Sequence, residues 1–387
     1  MREAPIYLDN NATTRLAPEA LEAMLPFLQE EYGNAGSAHV LGRLSEGAVV
    51  HGRGQLAGLL GCQEAELVFN SGGTEGLNHA IRGVFEAQTG RRHFITTAVE
   101  HSAVLAIADW LRGQGAEVTL LGVDREGRLD LGELEAALRP DTALVSVMAA
   151  NNETGVLFPL EQAGRLARAR GALFHVDGTQ AVGKVPIDLA RLPVDLFNLS
   201  SHKFHGPKGI GALYIRRGLR LRPFMLGGGQ ERGRRGGTEN VPGIVGLGRA
   251  AELAAQNLAD MAGRVRDLRD RLEAGILERV PEARVNGAGA ERVPNTSFIS
   301  FRGIEGEALF LKLSDRGVCV STGSACTTGQ REPSHVLRAM AVEAVQAQGT
   351  VRFSLSRYST GEEIARVVEM VPGLVAGLRA AGALGRR

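Results

Sequence analysis

The sequence predicts an α/β protein: a large domain with a mostly parallel sheet between helices, and a smaller α/β domain at the C-terminal end. Three observations carry that prediction. From Glu66 to Ile215 short apolar runs alternate with longer amphipathic stretches, the pattern of a parallel sheet with crossover helices. Several of the runs are apolar throughout, as strands covered on both faces tend to be. At 387 residues the chain exceeds one ordinary core and suits one large plus one smaller domain.

The strands expected in order are "ELVFN" (66–70), "HFITT" (93–97), "EVTLL" (117–121), "ALVSVM" (143–148), "ALFHVD" (172–177), "VDLFNL" (194–199) and "GALYI" (211–215). Helical spacing fills the gaps, for example Ser102 to Gln114 and Leu160 to Arg170. A long helical stretch follows from about Val241 to Val280, then a second strand–helix unit near "TSFISF" (296–301), closed by a helix from about Thr360. This tail reads as the smaller domain, joined by the N-terminal segment. No internal repeat or low-complexity linker marks the boundary.

Composition narrows the function. The chain is 44% hydrophobic and 22% charged with a formal net charge of +1, which argues against nucleic acid or a membrane surface as the main partner. No apolar run approaches membrane-spanning length, and the first nine residues carry no signal-peptide hydrophobic region. Cys62, Cys319 and Cys326 are odd in number and widely spread, so neither a disulfide framework nor a zinc site is expected, and a cytoplasmic location is the default.

Arginine supplies nearly all the positive charge, and the only lysines are Lys184, Lys203, Lys208 and Lys312. Two of the four fall in "LSSHKFHGPKGIG" (199–211). Arginine serves solubility as well as lysine does, but only lysine can lose its proton and act as a nucleophilic amine. Lysine chemistry alone leaves two readings open: a pair of solvated loop lysines, or a working amine.

The residues just after each strand decide between them, because ligands of such sheets lie outside the carboxyl ends of the strands. After "ELVFN" comes Ser71-Gly72-Gly73-Thr74-Glu75, a glycine turn opening a helix and suited to a phosphate. The next strand ends lead to Glu100-His101, to Asn151-Asn152-Glu153, to Asp177 with Gln180, and to Ser200-Ser201-His202-Lys203. Singly, each reads as a cap or a turn. Together they suit pyridoxal 5'-phosphate, which needs a lysine for its aldehyde, a carboxylate for its pyridine nitrogen, a flat group over its ring and donors for its phosphate. Lys203, Asp177, His101 and the Thr74, Ser200 and His202 group supply these in turn. Two decoys are set aside. "GTQAVGKV" (178–185) matches a phosphate-binding P-loop until Val185 replaces the magnesium-ligating hydroxyl. "HKFH" (202–205) has a metal-like spacing, but Gly206 and Pro207 break the helix it needs, so no metal site is expected.

The motifs "YLDNNATT" (7–14), "SGGTEG" (71–76), "VEHSAV" (99–104), "NNETG" (151–155), "HVDGTQAVGK" (175–184), "SSHKFHGPKGIG" (200–211), "GGGQERGRRGGTEN" (227–240), "STGSACTTG" (321–329) and "RFSLSR" (352–357) resemble the cysteine desulfurases of the NifS/IscS type, within the class V aminotransferases. The resemblance spans nearly the whole chain with its motifs in order. It implies a fold-type I pyridoxal-phosphate homodimer, with a large domain over 16–255 and a small domain made of 1–15 and 256–387. The implied reaction turns L-cysteine into L-alanine and leaves sulfur as a persulfide on an enzyme cysteine. An iron–sulfur scaffold or another sulfur-acceptor protein then takes it, and any iron–sulfur cluster that the persulfide meets belongs to that partner.

Carried over position by position, the resemblance makes Lys203 the lysine that binds the aldehyde and Asp177 the partner of the pyridine nitrogen. His101 stacks on the ring and also moves protons, and Gln180 hydrogen-bonds the phenolic oxygen. Gly73, Thr74, Ser200 and His202 hold the phosphate, with Thr238 reaching it from the partner subunit. Asn34, Asn152 and Arg352 meet the substrate, Arg352 by a bidentate pair with its carboxylate, and Asn152 also borders the cofactor.

Cys326 aligns with the sulfur acceptor. Its surroundings, "STGSACTTGQREPS" (321–334), are small, polar and glycine-bearing, as a mobile loop exposing a reactive thiolate would be. Cys319, inside the apolar "GVCVS", reads as an inert buried residue, and Cys62 as the end of a helix. The loop's continuation through "EPSHVL" is similar to the branch that passes sulfur directly to scaffold and acceptor proteins. Gly76, Gly178 and Ser201 depart from common family residues, small for small, and "AVEAVQAQG" (341–349) is less regular than its counterparts. Two other readings stand beside this one: an aminotransferase or selenocysteine lyase on the same scaffold, independent of Cys326, and a sulfur-carrier or scaffold subunit whose main work is protein binding.

Overall fold

A computed structural model describes residues 4–88, 90–322 and 333–384. Its described strands are, in chain order, β1 (Ile6–Tyr7), β2 (Leu67–Asn70), β3 (His93–Thr97), β4 (Glu117–Leu121), β5 (Thr142–Met148), β6 (Leu173–Asp177), β7 (Leu196–Ser200), β8 (Gly211–Ile215), β9 (Ala283–Val285), β10 (Thr296–Phe301), β11 (Val318–Cys319) and β12 (Thr350–Ser354).

Seven of them form one sheet in the order β2-β8-β7-β6-β5-β3-β4. Only β8 runs against its neighbours; every other pairing along the sheet is parallel. The expected mostly parallel sheet is therefore present, with each strand within two residues of its expected span. Alternate side chains explain the continuous apolar runs. Val145, Phe174 and Phe197 pack into one core with the helices Val40–Leu60, Leu160–Ala169 and Val241–Asp260. Their neighbours Leu144 and Leu196 pack on the other face with Gly73–Ala87 and Ser102–Gly113. Except at the edge strand β4 both faces are dry, so period-2 polarity is absent.

A second core gathers the antiparallel sheet β9-β10-β12, the parallel pair β1-β11 and the helices Arg266–Arg279, Gly306–Ser314 and Gly361–Leu384. Phe301 and Phe353 are fully buried there, each contributing about 1.5–3 kcal/mol by leaving water. The helix Val241–Asp260 continues through a π-helical turn at Met261–Val265 into Arg266–Arg279, so residues 255 and 256 lie mid-helix. The irregular "AVEAVQAQG" becomes a turn with Ala341 at φ 53° and a short helix, Ala344–Ala347.

The N-terminal segment stitches the two cores together. Leu8 N–H donates to Cys319 O and Asn10 N–H to Ser354 O on one side, while Thr14 N–H donates to His202 O on the other. That crossing brings residues 9–13 to the carboxyl edge of the large sheet.

Candidate active site

The ends of β2, β3, β5, β6 and β7 converge on one cavity of about 530 Å³. At the end of β2 the chain turns through Gly72, whose φ of +144° only glycine adopts readily. The helix Gly73–Ala87 then starts with no side-chain cap, which leaves its first N–H groups to an anion in the cavity lined by Gly73 and Thr74. Ser200, at the end of β7, lies against this turn: a Cβ placed on Gly73 would sit 3.8 Å from the Ser200 Cβ.

Asp177 ends β6 and is buried. Both of its described hydrogen bonds fall on Oδ1, from Thr179 N–H at 3.0 Å and Asn198 Nδ2 at 3.1 Å. Oδ2 is thus left for a ligand in the cavity that Asp177 lines. Behind it Asn198 Oδ1 meets His175 Nε2 at 2.8 Å, and His175 Nδ1 meets Ser146 Oγ at 2.8 Å. Burial pushes His175 down to about 4 against the pull of Asp177. Neutral His175 therefore passes no charge to Asp177.

Lys203 sits in a 3-10 turn directly after β7. Its Nζ donates to Asn11 O at 2.7 Å and Ala12 O at 2.9 Å, so the N-terminal segment aims the amine at the cavity. Asn11 also receives Gln180 Nε2 on its carbonyl at 2.9 Å. Beside it, His202 Nδ1 meets Thr13 Oγ1 at 3.0 Å, and burial together with Lys203 and Lys208 pushes the ring down to about 4.

His101 caps the helix Ser102–Gly113, its Nδ1 accepting from Ala103 N–H at 3.2 Å. Burial lowers its pKa; Asp177 opposes this, while Lys203 and His335 add to it. Glu100, next to it, is fully buried, and burial raises it to about 8.

The opposite wall comes from the small sheet. Arg352 on β12 donates from Nη1 to Asn152 O at 2.9 Å and from Nη2 to Asp9 Oδ1 at 3.0 Å. Its Nε and the Asn152 Oδ1 are buried at the cavity wall without a partner. Glu153 accepts from Ser334 Oγ at 2.5 Å, and His335 Nε2 meets Glu100 O at 2.8 Å. These two contacts tie the start of the helix His335–Ala339 to the rim. Burial raises Glu153 to about 7, against the Ser334 hydrogen bond and Arg352.

The structure thus brings together Lys203, Asp177, His101, Gln180, Gly73, Thr74, Ser200, His202, Asn152 and Arg352. Two expected residues do not line this cavity. Asn34 is exposed and accepts from Gly36 N–H at 2.8 Å, and Thr238 is exposed on the 227–240 segment. Cys326 lies outside the described residues. Cys319, read as buried, is only partly buried on the edge strand β11, with its thiol pushed up by burial and by Asp9.

Sequence reasoning missed Asp9, Asn11, Ser334, His335 and Arg338 as parts of the site. The motif "YLDNNATT" carried the only usable signal, an acid and paired asparagines in a segment with no helical or strand pattern.

The residues fit pyridoxal phosphate: an uncapped helix start with adjacent hydroxyls for a phosphate, an amine beside a buried carboxylate with one oxygen unclaimed, and orphaned polar atoms on the substrate side. The family model described as Aminotransferase class-V matches residues 6–367. The chain is 56% identical over 375 residues to "Cysteine desulfurase 2" of Trichormus variabilis, covering 97% of this chain and 94% of that one. It is 52% identical over 377 residues to "Cysteine desulfurase NifS" of Azotobacter vinelandii, again covering 97% and 94%. A solved structure titled "NIFS-LIKE PROTEIN" superposes with a TM-score of 0.91 at 40% identity, covering 97% of this chain and all of that one.

Proposed function

Because the chain belongs to the class-V aminotransferase family and matches its cysteine desulfurases along nearly its whole length, we propose that this cavity converts L-cysteine to L-alanine and passes the sulfur to Cys326. The protein is a pyridoxal-phosphate-dependent cysteine desulfurase. The observation that carries the assignment of roles is the convergence of Lys203, Asp177, Thr74 and Arg352 on one cavity.

When bound, pyridoxal phosphate supplies an electron sink for the charge left at the substrate Cα. Lys203 Nζ would be the amine that holds the aldehyde and the base that moves the substrate Cα proton. Asp177 Oδ2 would hold the ring nitrogen, His101 would cover the ring, and Gln180 would donate to the phenolic oxygen. The first N–H groups of the helix Gly73–Ala87, with Thr74, Ser200 and His202, take the phosphate. Arg352 and Asn152 orient the carboxylate of L-cysteine, with Asn34 also assigned to the substrate.

The sulfur step balances without an outside oxidant. The Cys326 thiolate attacks the substrate sulfur, an S–S bond forms and the Cβ–S bond breaks. Its electron pair stays on Cβ, which takes a proton to give alanine. The persulfide then passes to an acceptor protein, such as an iron–sulfur scaffold, in the cytoplasm. Among the described residues no helix is long and apolar enough to cross a membrane.

The division into 16–255 and 1–15 with 256–387 is supported by the second core around Phe301 and Phe353, while Val293, Val336 and Met340 of the smaller part pack into the large core. A homodimer is supported by apolar side chains left in water: Leu28, Tyr32 and Val40 on the segment 28–40, and Leu226 at 85% exposure. The buried Arg53–Glu231 pair, at 2.6 Å, fastens the segment around Leu226 to the helix Val40–Leu60. In such a dimer Thr238 reaches the partner's phosphate.

The deciding measurement is alanine and sulfide release from L-cysteine under reducing conditions, with wild type beside Cys326→Ala. Release by wild type and none by the variant, at equal cofactor absorbance, supports the assignment. Alanine made at the wild-type rate by the variant would remove Cys326 from the mechanism. Cofactor absorbance without any alanine would leave the scaffold and overturn the reaction.

A further inference from the structure

Lys184, left over when the P-loop reading of "GTQAVGKV" is rejected, is one of only four lysines in the chain, and it is 5% exposed. None of the ion pairs among the described residues includes it. Its Nζ donates to Gln180 Oε1 at 2.5 Å and to Asn11 Oδ1 at 2.9 Å. Both partners are neutral carbonyl oxygens. Burial, then Lys203 and Arg352, lowers its pKa well below the ordinary amine range. Two acceptors match the two N–H donors of a neutral amine, so the group needs no counter-ion.

The arrangement dictates which way the Gln180 amide faces. Oε1 is held by Lys184, and Nε2 donates to Asn11 O. A flipped amide would set its oxygen against the Asn11 carbonyl, losing that hydrogen bond to an oxygen–oxygen repulsion, and would exchange the N–H that Lys184 donates to Oε1 for a contact in which the amine's lone pair must accept. Gln180 lines the cavity, so its second Nε2 proton is the one left to a bound group. Asn11 is shared with the working amine: its carbonyl also accepts from Lys203 Nζ, and its Oδ1 from Lys184 and Asn295 Nδ2.

We propose that Lys184 is a positioning residue: it locks Gln180 with its amide N–H2 toward the cofactor, so that the phenolic oxygen always meets a donor, and it braces the Asn11 bracket that aims Lys203. This rests on the reading above, in which Gln180 meets the phenolic oxygen. A donor there withdraws electron density from that oxygen and favours loss of the neighbouring proton, so losing it raises the pH at which the bound cofactor changes colour.

The test is a pH titration of the visible absorbance of the holoenzyme, with the pyridoxal-phosphate dissociation constant measured alongside. The variants are Lys184→Met, Gln180→Leu and the two combined. Expected is a rise of about one pH unit in the midpoint for Lys184→Met, about tenfold weaker cofactor binding, and no further shift when Lys184→Met is added to Gln180→Leu. Lys184→Gln can still donate an N–H to Gln180 Oε1, and it should return the midpoint to near wild type.

A midpoint that moves in Gln180→Leu but not in Lys184→Met overturns the positioning role and leaves the Gln180 reading standing. A midpoint unmoved in Gln180→Leu overturns that reading, and the proposal with it. If Lys184→Met does not fold, Lys184→Gln is compared with Lys184→Ala; equal shifts in both, tracking a fall in melting temperature, mark Lys184 as packing only.

Discussion

Asp9 and Arg352, 343 residues apart in sequence, form an ion pair of 3.0 Å at the cavity wall. Arg352 is 3% exposed, and burial raises the Asp9 pKa despite the guanidinium beside it. The guanidinium assigned to the substrate carboxylate is therefore anchored by a carboxylate of the protein's own. Asp9 sets its angle, and Nε stays unpaired at the cavity wall.

Removing that anchor leaves a buried positive charge unmatched. Asp9→Ala should cost about 3–5 kcal/mol of stability, read as a lowered melting temperature, and should raise the KM for L-cysteine more than it lowers kcat. A melting temperature equal to wild type would show that the pair holds nothing.

The structure shows a local reason for glycine at 178. A Cβ at 178 would lie inside the van der Waals surface of the Phe197 ring. Gly178→Ala should therefore destabilise by about 1–3 kcal/mol. Adding Phe197→Leu should recover part of that loss, as chemical denaturation can measure. A neutral single variant would mean that the ring moves aside freely.

The two described cysteines are held in the unreactive thiol form. Burial with Glu66 pushes Cys62 up to about 12, and burial with Asp9 raises Cys319. At pH 8 the folded protein should take up one equivalent of iodoacetamide, at Cys326, and Cys326→Ala should take up almost none. Rapid labelling at Cys62 in the variant would contradict this.

Glu153 carries a pH dependence of known sign. Its folded pKa, near 7, lies above the ordinary glutamate value of about 4.3. Between these values the unfolded chain releases a proton that the folded protein keeps, so stability falls as pH rises, and the loss is complete above pH 7. Glu153→Gln keeps an acceptor for Ser334 but does not titrate. Relative to wild type it should melt higher at pH 8 than it does at pH 5. Parallel melting curves across that range would rule the effect out.

Six of the seven strands of the large sheet were legible because both faces are dry, which leaves uninterrupted apolar runs such as "ALVSVM"; the edge strand β4 is largely exposed. The strand-end residues were legible for a topological reason: parallel strands put His101, Asn152, Asp177 and Lys203 at one edge. Cys319 was misread because among the described residues β11 pairs with β1 alone, so its apolar neighbours did not imply full burial. Nothing local marked Ser334 as the partner of Glu153, or His335 as the partner of Glu100 O, since each contact joins residues far apart in the chain.

By itself the sequence determined the chemistry available: a rare lysine after a strand, an acid at the end of another, a glycine turn opening a helix. Those are local features, set by strand burial and chain direction. Only the tertiary structure decided how that chemistry is aimed. Asn11 brackets Lys203 and Asp9 holds Arg352 because the N-terminal segment crosses between two cores. Hydrogen bonds act over about 3 Å of space whatever the separation along the chain, so no window of sequence contains both partners.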